Sequence, residues 1–417
     1  MKKLPLLTAI VGIVLAGCSS SDEPRGAPRE TETQKSFIRT ESEAIDLAVA
    51  LMEGRAGSRA SYSIEDVDIF SSNSSRANED TLIYAVNFAD DKGFVLVSAA
   101  KTGEDIIGYA DKGRIETDNI DPVSGFAFYM DAAKDYVTGE INDAGPNFGL
   151  DTTIVPVKPV IPPVVTYEKV APRVTVEWGQ RHPEGCLFEN HVCGCTQTAC
   201  LQIMSAFKEP TYINYTYPEH ELESEYFDWN GLCVHQKSGL CCSATNSYYN
   251  CAATDESHSK ISRLARELGH RSKAVQKFDP NATSTIGRNA RNTMWELLLP
   301  SDIEVTQMSD FSSYDNHFTL LKDKKAVFYM RGDNGSSGHA WVCSGGERIT
   351  TKHMDDMYIH ENKTEIKIFF HFNWGWNGED NGYFSAGVFD TSKSTTPSRT
   401  VFSQNVQFFA VFSKNLN

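Results

Sequence analysis

Three short segments in the C-terminal half carry the residue types of a thiol hydrolase. They are Gly194-Cys195-Thr196-Gln197-Thr198-Ala199, Gly338-His339-Ala340-Trp341 and Asn373-Trp374-Gly375-Trp376. Each supplies something the others lack: a cysteine attacks a carbonyl carbon, a histidine takes and returns the proton, and a third polar group orients the imidazole. A thiol with its ordinary pKa of about 8.5 is mostly protonated at neutral pH, and a helix N-terminus or a neighbouring imidazolium stabilises the reactive thiolate. Cys195 is expected to open a helix, because Leu201, Ile203, Met204 and Phe207 recur at helical spacing until Pro210, and Gly194 permits a tight entry. His339 follows the Gly/Ser-rich run Arg331 to Gly338 and opens an apolar strand ending at Cys343. Asn373 ends another apolar strand, where its amide is expected to hydrogen-bond His339 Nδ1 with Trp374 shielding that bond from water. Trp376 reads as ordinary packing.

Taken singly, each residue has a bland structural use, so the elements that position them decide the matter. From about Val170 onward the chain beyond the Cys195 helix is strand-rich: Ala326–Met330, Ala340–Cys343, Ile366–Asn373 and Gln407–Phe412 are apolar or alternating and separated by turn residues. This order predicts an α+β fold in which a helix carrying the nucleophile packs on an antiparallel sheet carrying the base. A smaller α+β unit is expected over residues 36–150. Thr40 to Glu43 reads as a capping box, Ile45 to Met52 as a helix stopped by Gly54, Leu82–Phe88 and Phe94–Ala99 as a hairpin, and Phe126–Val137 as a second helix. That unit has neither His nor Cys and offers no catalytic constellation of its own. Between Asp151 and Tyr167 lie five valines and four prolines without helical or strand alternation, so residues 151–169 read as an extended, accessible hinge where a protease could cut.

Length and composition bound the setting. A chain of 417 residues is too long for one ordinary core, and a net charge of −16 argues against nucleic-acid or anionic-membrane partners. Residues 1–17 read as an export signal: Lys2-Lys3, the apolar run Leu6–Leu15, too short to span a bilayer, and Leu15-Ala16-Gly17 before Cys18. This ending resembles the bacterial lipobox, which implies lipidation of Cys18 and a polar tether over residues 18–35. The protein is therefore expected outside the cytoplasm, at the outer membrane or cell surface, touching the membrane through the lipid only. Ten cysteines suit such an oxidising site. Setting aside Cys18 and Cys195, eight remain and could pair completely, with a local staple between Cys233 and Cys251. No Cys-x-x-Cys pair points to zinc, and the chemistry requires no metal or organic cofactor.

Residues 194–204, 337–345 and 373–384 together resemble the motifs of the streptopain family of papain-like cysteine endopeptidases. Val170-Ala171-Pro172 and Glu177-Trp178-Gly179-Gln180 are similar to the start of that family's mature enzyme. Gly93–Ser98 and Ile107-Gly108-Tyr109 resemble its inhibitory prodomain. The resemblance implies a papain-like catalytic domain over residues 170–417 and a prodomain that acts as an intramolecular inhibitor until the hinge is cut. It assigns Cys195 as nucleophile, His339 as base and acid, Gln180 as the side-chain donor of an oxyanion hole, and Asn373 and Trp374 as the pair that orients and covers the histidine. Gly338 and Ser284, within Thr283-Ser284-Thr285, fall where a pocket for an apolar substrate residue would be lined. The chain departs from the family at Thr196-Gln197, where Gln197 is expected to narrow the cleft, and in the cysteine-rich stretch from Phe227 to Asp255. Cys193 leaves room for redox interference with the nucleophile, and Arg331-Gly332-Asp333 spells an adhesion tripeptide in what reads as an exposed loop.

Overall fold

The computed structural model describes residues 37–57, 61–72, 80–144, 163–181, 184–188, 192–218, 222–233, 256–276, 283–333, 338–352, 364–389 and 406–414. Cys18 and the tether lie outside them, as do Cys241, Cys242 and Cys251. Among the described residues, no helix is long and apolar enough to cross a membrane.

The N-terminal unit is a four-stranded meander between two helices. Helix α1 (Glu41–Ala56) opens on a reciprocal capping box, Glu43 N donating to Thr40 Oγ1 and Thr40 N to the Glu43 carboxylate. The helix runs past Gly54, where the sequence predicts a stop, and its C-cap is Gly57. Gly54 serves a close approach instead, since the Tyr167 hydroxyl fills the space of its missing β-carbon. Strands β1 (Ile64–Ser71), β2 (Thr81–Phe88), β3 (Phe94–Ser98) and β4 (Ile106–Ala110) pair antiparallel in sequence order. β3 and β4 are buried along their whole length. They read as near-continuous apolar runs because α1 covers one face while α2 (Gly125–Ala144) packs on the other.

The C-terminal half supplies β5 (Val164–Val170), α3 (Cys195–Phe207), the hairpin β6 (Tyr212–Asn214) and β7 (Ser224–Tyr226), and α4 (Trp229–Leu232). After α5 (Glu256–Arg271) come the short pair β8 (Val275–Gln276) and β9 (Thr283–Ser284), α6 (Gly287–Leu298), β10 (Ile303–Val305), β11 (Ser309–Asp310) and α7 (Tyr314–Asp323). Strands β12 (Val327–Asp333), β13 (Gly338–Lys352), β14 (Thr364–Asn373), β15 (Gly382–Ser385) and β16 (Gln407–Ser413) then build the central antiparallel sheet. Helices α3, α5 and α6 pack on one side of it around Leu201, Met204, Leu264, Met294, Val327 and Val342.

The two halves share one sheet. Its order is β1-β2-β3-β4-β15-β14-β13-β12-β16-β10, joined where Tyr109 and Gly108 of β4 pair with Tyr383 and Phe384 of β15. Two of the three hydrophobic clusters therefore contain residues from both halves. The end of the expected hinge is also a strand, because β5 pairs with β13 from Val164↔Lys352 to Val170↔Gly346. Most of its side chains are exposed, so burial imposes no alternation and the pattern is silent there. Arg331-Gly332-Asp333 lies in β12 rather than in a loop, with Gly332 buried beneath Phe128 of α2. Cys186, Cys193, Cys200, Cys233 and Cys343 are free, so the eight cysteines do not pair completely. Cys193, Cys200 and Cys343 sit singly in the core, where a thiol packs as a small apolar group.

Candidate active site

Cys195 is the first residue of α3, and its neighbourhood is built by the turn into that helix. Gly194, the N-cap, has φ 94° and ψ 153°. A β-carbon there would lie 2.7 Å from the Thr283 carbonyl oxygen, so the entry is open only to glycine. Thr283 precedes Ser284 on β9, which sets the 283–285 segment beside the nucleophile's turn. Cys193 N donates to Gln180 O at 2.8 Å, and Thr198 Oγ1 lies 3.0 Å from Gly179 O. Contacts from both sides of Cys195 thus pin the Gly179–Gln180 backbone, with Gln180 half-buried.

The candidate base comes from the sheet. His339 is the second residue of β13, pairs with Gly332 of β12, and is 6 % exposed. Its Nε2 donates to Trp374 O at 3.1 Å, a tautomer that leaves Nδ1 for the hydrogen bond linking the ring to Cys195 Sγ. Burial alone would raise the Cys195 thiol. The charge and hydrogen bond of His339, with N–H groups of Ala340 and Thr196, outweigh it and hold the thiol below its ordinary value. Burial likewise pulls the imidazole down, but the Cys195 charge and hydrogen bond and the Trp374 carbonyl carry it above its ordinary value. The opposed shifts move the pair toward thiolate and imidazolium, the charge state in which the sulfur is the better nucleophile.

The group that holds the imidazole differs from the expected one. Asn373 makes no bond to His339: its Oδ1 accepts from Gln202 Nε2 at 3.0 Å and Gly375 N at 3.1 Å, and its Nδ2 donates to Val176 O at 2.9 Å. Both its polar atoms are thus engaged away from the imidazole. β14 ends at Asn373, and the next peptide presents the Trp374 carbonyl to the ring. The Trp374 indole is fully buried and donates to Asp380 O at 3.0 Å. Trp376, expected only to pack, lies edge-on to His339 with centroids 6.4 Å apart.

Gln197, expected to narrow the cleft, is 1 % exposed and donates to Ser272 Oγ at 3.1 Å and Thr285 Oγ1 at 2.9 Å, so its amide braces the 283–285 segment. Gly338 is exposed at the start of β13, facing Asp333. Cys193 is buried with Sγ 3.3 Å from Thr198 Oγ1, and burial pushes its thiol well up, out of the reactive form. Among the described residues no cluster of histidine, cysteine and carboxylate side chains is arranged to hold a metal ion.

Two residues that sequence reasoning passed over matter most. Gly125, the first residue of α2, lies against the base: a β-carbon there would stand 2.5 Å from His339 Cδ2 and Nε2 and 2.9 Å from Trp374 Cε3. Phe128, one turn on, packs on Trp341 with centroids 6.0 Å apart. The N-terminal unit therefore lies directly against the Cδ2–Nε2 side of the imidazole. The other is Gln202, seven residues after Cys195 and so on the same face of α3, a spacing that was legible in the chain.

The peptidase C10 family profile matches residues 167–384, and that of the Spi protease inhibitor matches residues 37–137. Streptopain of Streptococcus pyogenes is 23 % identical over 420 aligned residues, covering 94 % of this chain and 92 % of its own. The thiol protease/hemagglutinin PrtT of Porphyromonas gingivalis is 26 % identical over 73 % of this chain and 34 % of its own length. Among solved structures, a prointerpain A fragment from Prevotella intermedia superposes with a TM-score of 0.50 at 18 % identity, over 82 % of this chain and 98 % of the fragment. That likeness bears on the fold, which has the mixed α+β, papain-like architecture expected.

Proposed function

The chain belongs to the peptidase C10 family and is a cysteine peptidase carrying an N-terminal inhibitor unit, and we propose that it is the zymogen of an exported, lipid-anchored endopeptidase. The observation that carries the reading is the Cys195–His339 pair, its two shifts opposed, with His339 directly against Gly125 of the inhibitor unit. In the proposed reaction Cys195 attacks a peptide carbonyl while the Gln180 side chain and the Cys195 N–H hold the oxyanion. Losing one such donor typically costs about 3 kcal/mol of transition-state stabilisation. His339, steadied by Trp374, passes the proton to the leaving amine and then draws it from the water that hydrolyses the thioester. Gly338 and Ser284 line the pocket for an apolar substrate side chain.

Residues 36–150 are the inhibitory unit and 170–417 the peptidase in this reading, with activation by cleavage in the 151–169 segment. Pairing of β5 with β13 favours a cut before Val164, which would leave that strand with the enzyme. The Leu15-Ala16-Gly17-Cys18 ending supports export and lipidation at Cys18, outside the cytoplasm, with release of the mature domain when the hinge is cut.

Replacing Cys195 by Ala tests the assignment. Casein hydrolysis should vanish, and conversion of the full-length chain should stop if it is autocatalytic. Casein hydrolysis by the variant would overturn the peptidase site; persistent conversion alone would remove only self-processing.

A further inference from the structure

We propose that Gln202 is a positioning residue of the reaction, a buried side chain that ties the nucleophile's helix to both the oxyanion segment and the strand end whose carbonyl holds the base. The inference rests on the active-site reading above. Gln202 is fully buried on α3. Its Nε2 donates to Trp178 O at 2.9 Å, two residues before Gln180, and to Asn373 Oδ1 at 3.0 Å, one residue before Trp374.

The sense of the network is set by the backbone at each end. Trp178 O only accepts, so the Gln202 nitrogen must face it. That same nitrogen meets Asn373 Oδ1, which also takes Gly375 N at 3.1 Å, while Asn373 Nδ2 gives its hydrogen to Val176 O at 2.9 Å. No amide in the line can flip without setting two donors or two acceptors against each other. The line thus ties α3, the Val176–Trp178 segment and the end of β14 into one geometry. Gln202 Oε1, buried, has no partner among the described residues, so the side chain is held through its nitrogen alone. Its loss lets the Trp374 carbonyl shift relative to Cys195, and displacements of about 1 Å at a reacting centre cost on the order of 100-fold in rate.

The experiment replaces Gln202 by Met, which keeps volume and removes the donors, beside Cys195→Ala and the unaltered full-length protein, each assayed after cleavage of the hinge by an added protease. For Gln202→Met, kcat should fall about 10- to 100-fold with KM within about twofold. The acid limb of the pH profile should move toward higher pH, because a misplaced imidazolium stabilises the thiolate less. Asn373→Ala should give a similar loss, and the double variant little more than either alone. Alkylation of Cys195 by iodoacetamide in the unconverted chain reads the same limb if the Met variant is not converted; should it fail to fold, Asn373→Ala reads the line from its other end. A kcat within twofold of the parent, with an unmoved acid limb and only a lowered melting temperature, reduces Gln202 to a core residue and overturns the proposal. Casein hydrolysis by Cys195→Ala would remove the reading beneath it, and the proposal with it.

Discussion

The N-terminal unit meets the peptidase half at two places whose chemistry differs. At the active site, Gly125, Phe126, Phe128 and Tyr129 of α2 lie on His339, Trp341, Trp374 and Phe384, a cover of rings with few polar bonds. At the sheet junction, β4 pairs with β15, and α1 sends Arg55 between two carboxylates, 2.7 Å from Glu347 Oε2 and 2.7 Å from Asp111 Oδ1. Tyr109 Oη donates to the same Glu347 oxygen, and the guanidinium lies 4.0 Å over the Tyr109 ring. An apolar cover excludes substrate but tolerates sliding. A buried cation bridging two carboxylates fixes one register and leaves uncompensated charge if it is lost. Blocking and holding are thus done by separate surfaces, and they should fail separately.

The largest effect should come from the holding surface. Arg55 and Glu347 side chains are 7 % and 4 % exposed, so Arg55→Met strands a buried carboxylate and should cost about 3–5 kcal/mol in urea unfolding of the full-length chain. Hydrogen exchange should rise in β4 and α1 before it rises in β13. A loss under about 1 kcal/mol would mean that sheet pairing alone holds the unit and would dissolve the contrast.

Gly125→Ala should be smaller in stability and different in kind. The added methyl meets the His339 ring at 2.5 Å, an overpacking worth about 1–3 kcal/mol. The ring is held by Cys195 and the Trp374 carbonyl, whereas the turn before α2 is exposed, Val123 at 57 %, so the first turn of α2 should yield. Hydrolysis of a small peptide by the uncut chain should then rise several-fold, while Arg55→Met leaks only as far as it unfolds. Equal leak per unit of lost stability in the two variants would show one surface doing both tasks.

How far the chain itself revealed this follows the range of each interaction. The capping box at Thr40, the β2–β3 hairpin and the α3 start at Cys195 are local and were readable from spacing. The fusion of two sheets through Tyr109↔Tyr383 was not, because strands buried on both faces look alike whichever neighbour they take. Asn373 was placed in the right turn and given the wrong bond, since a sequence names side chains and the acceptor here is the Trp374 peptide. Gly125 precedes the expected Phe126–Val137 helix with no local signal of its own; only packing against a residue more than 200 positions away gives it meaning. Short-range chemistry was therefore legible and the inhibitory contact was not.

The smallest effect should lie at the rim of the holding surface, where Lys169 of β5 pairs with Asp111 at 3.0 Å and stands 4.9 Å over the Tyr383 ring. Their side chains are 42 % and 47 % exposed, so Lys169→Met should cost under about 1 kcal/mol. What remains should fade near 1 M salt, where screening acts within about 3 Å. Burial tends to raise Asp111, but Arg55 and then Lys169 hold it below its ordinary value. Its contribution is therefore present above the usual carboxylate range and lost as pH falls through its lowered value. Unfolding of the Lys169→Met and unaltered chains, compared at low and high salt, separates rim from core. If Lys169→Met rivals Arg55→Met, the charge of β5 holds the unit as firmly as the buried cation does, and cutting the hinge would not by itself free the active site.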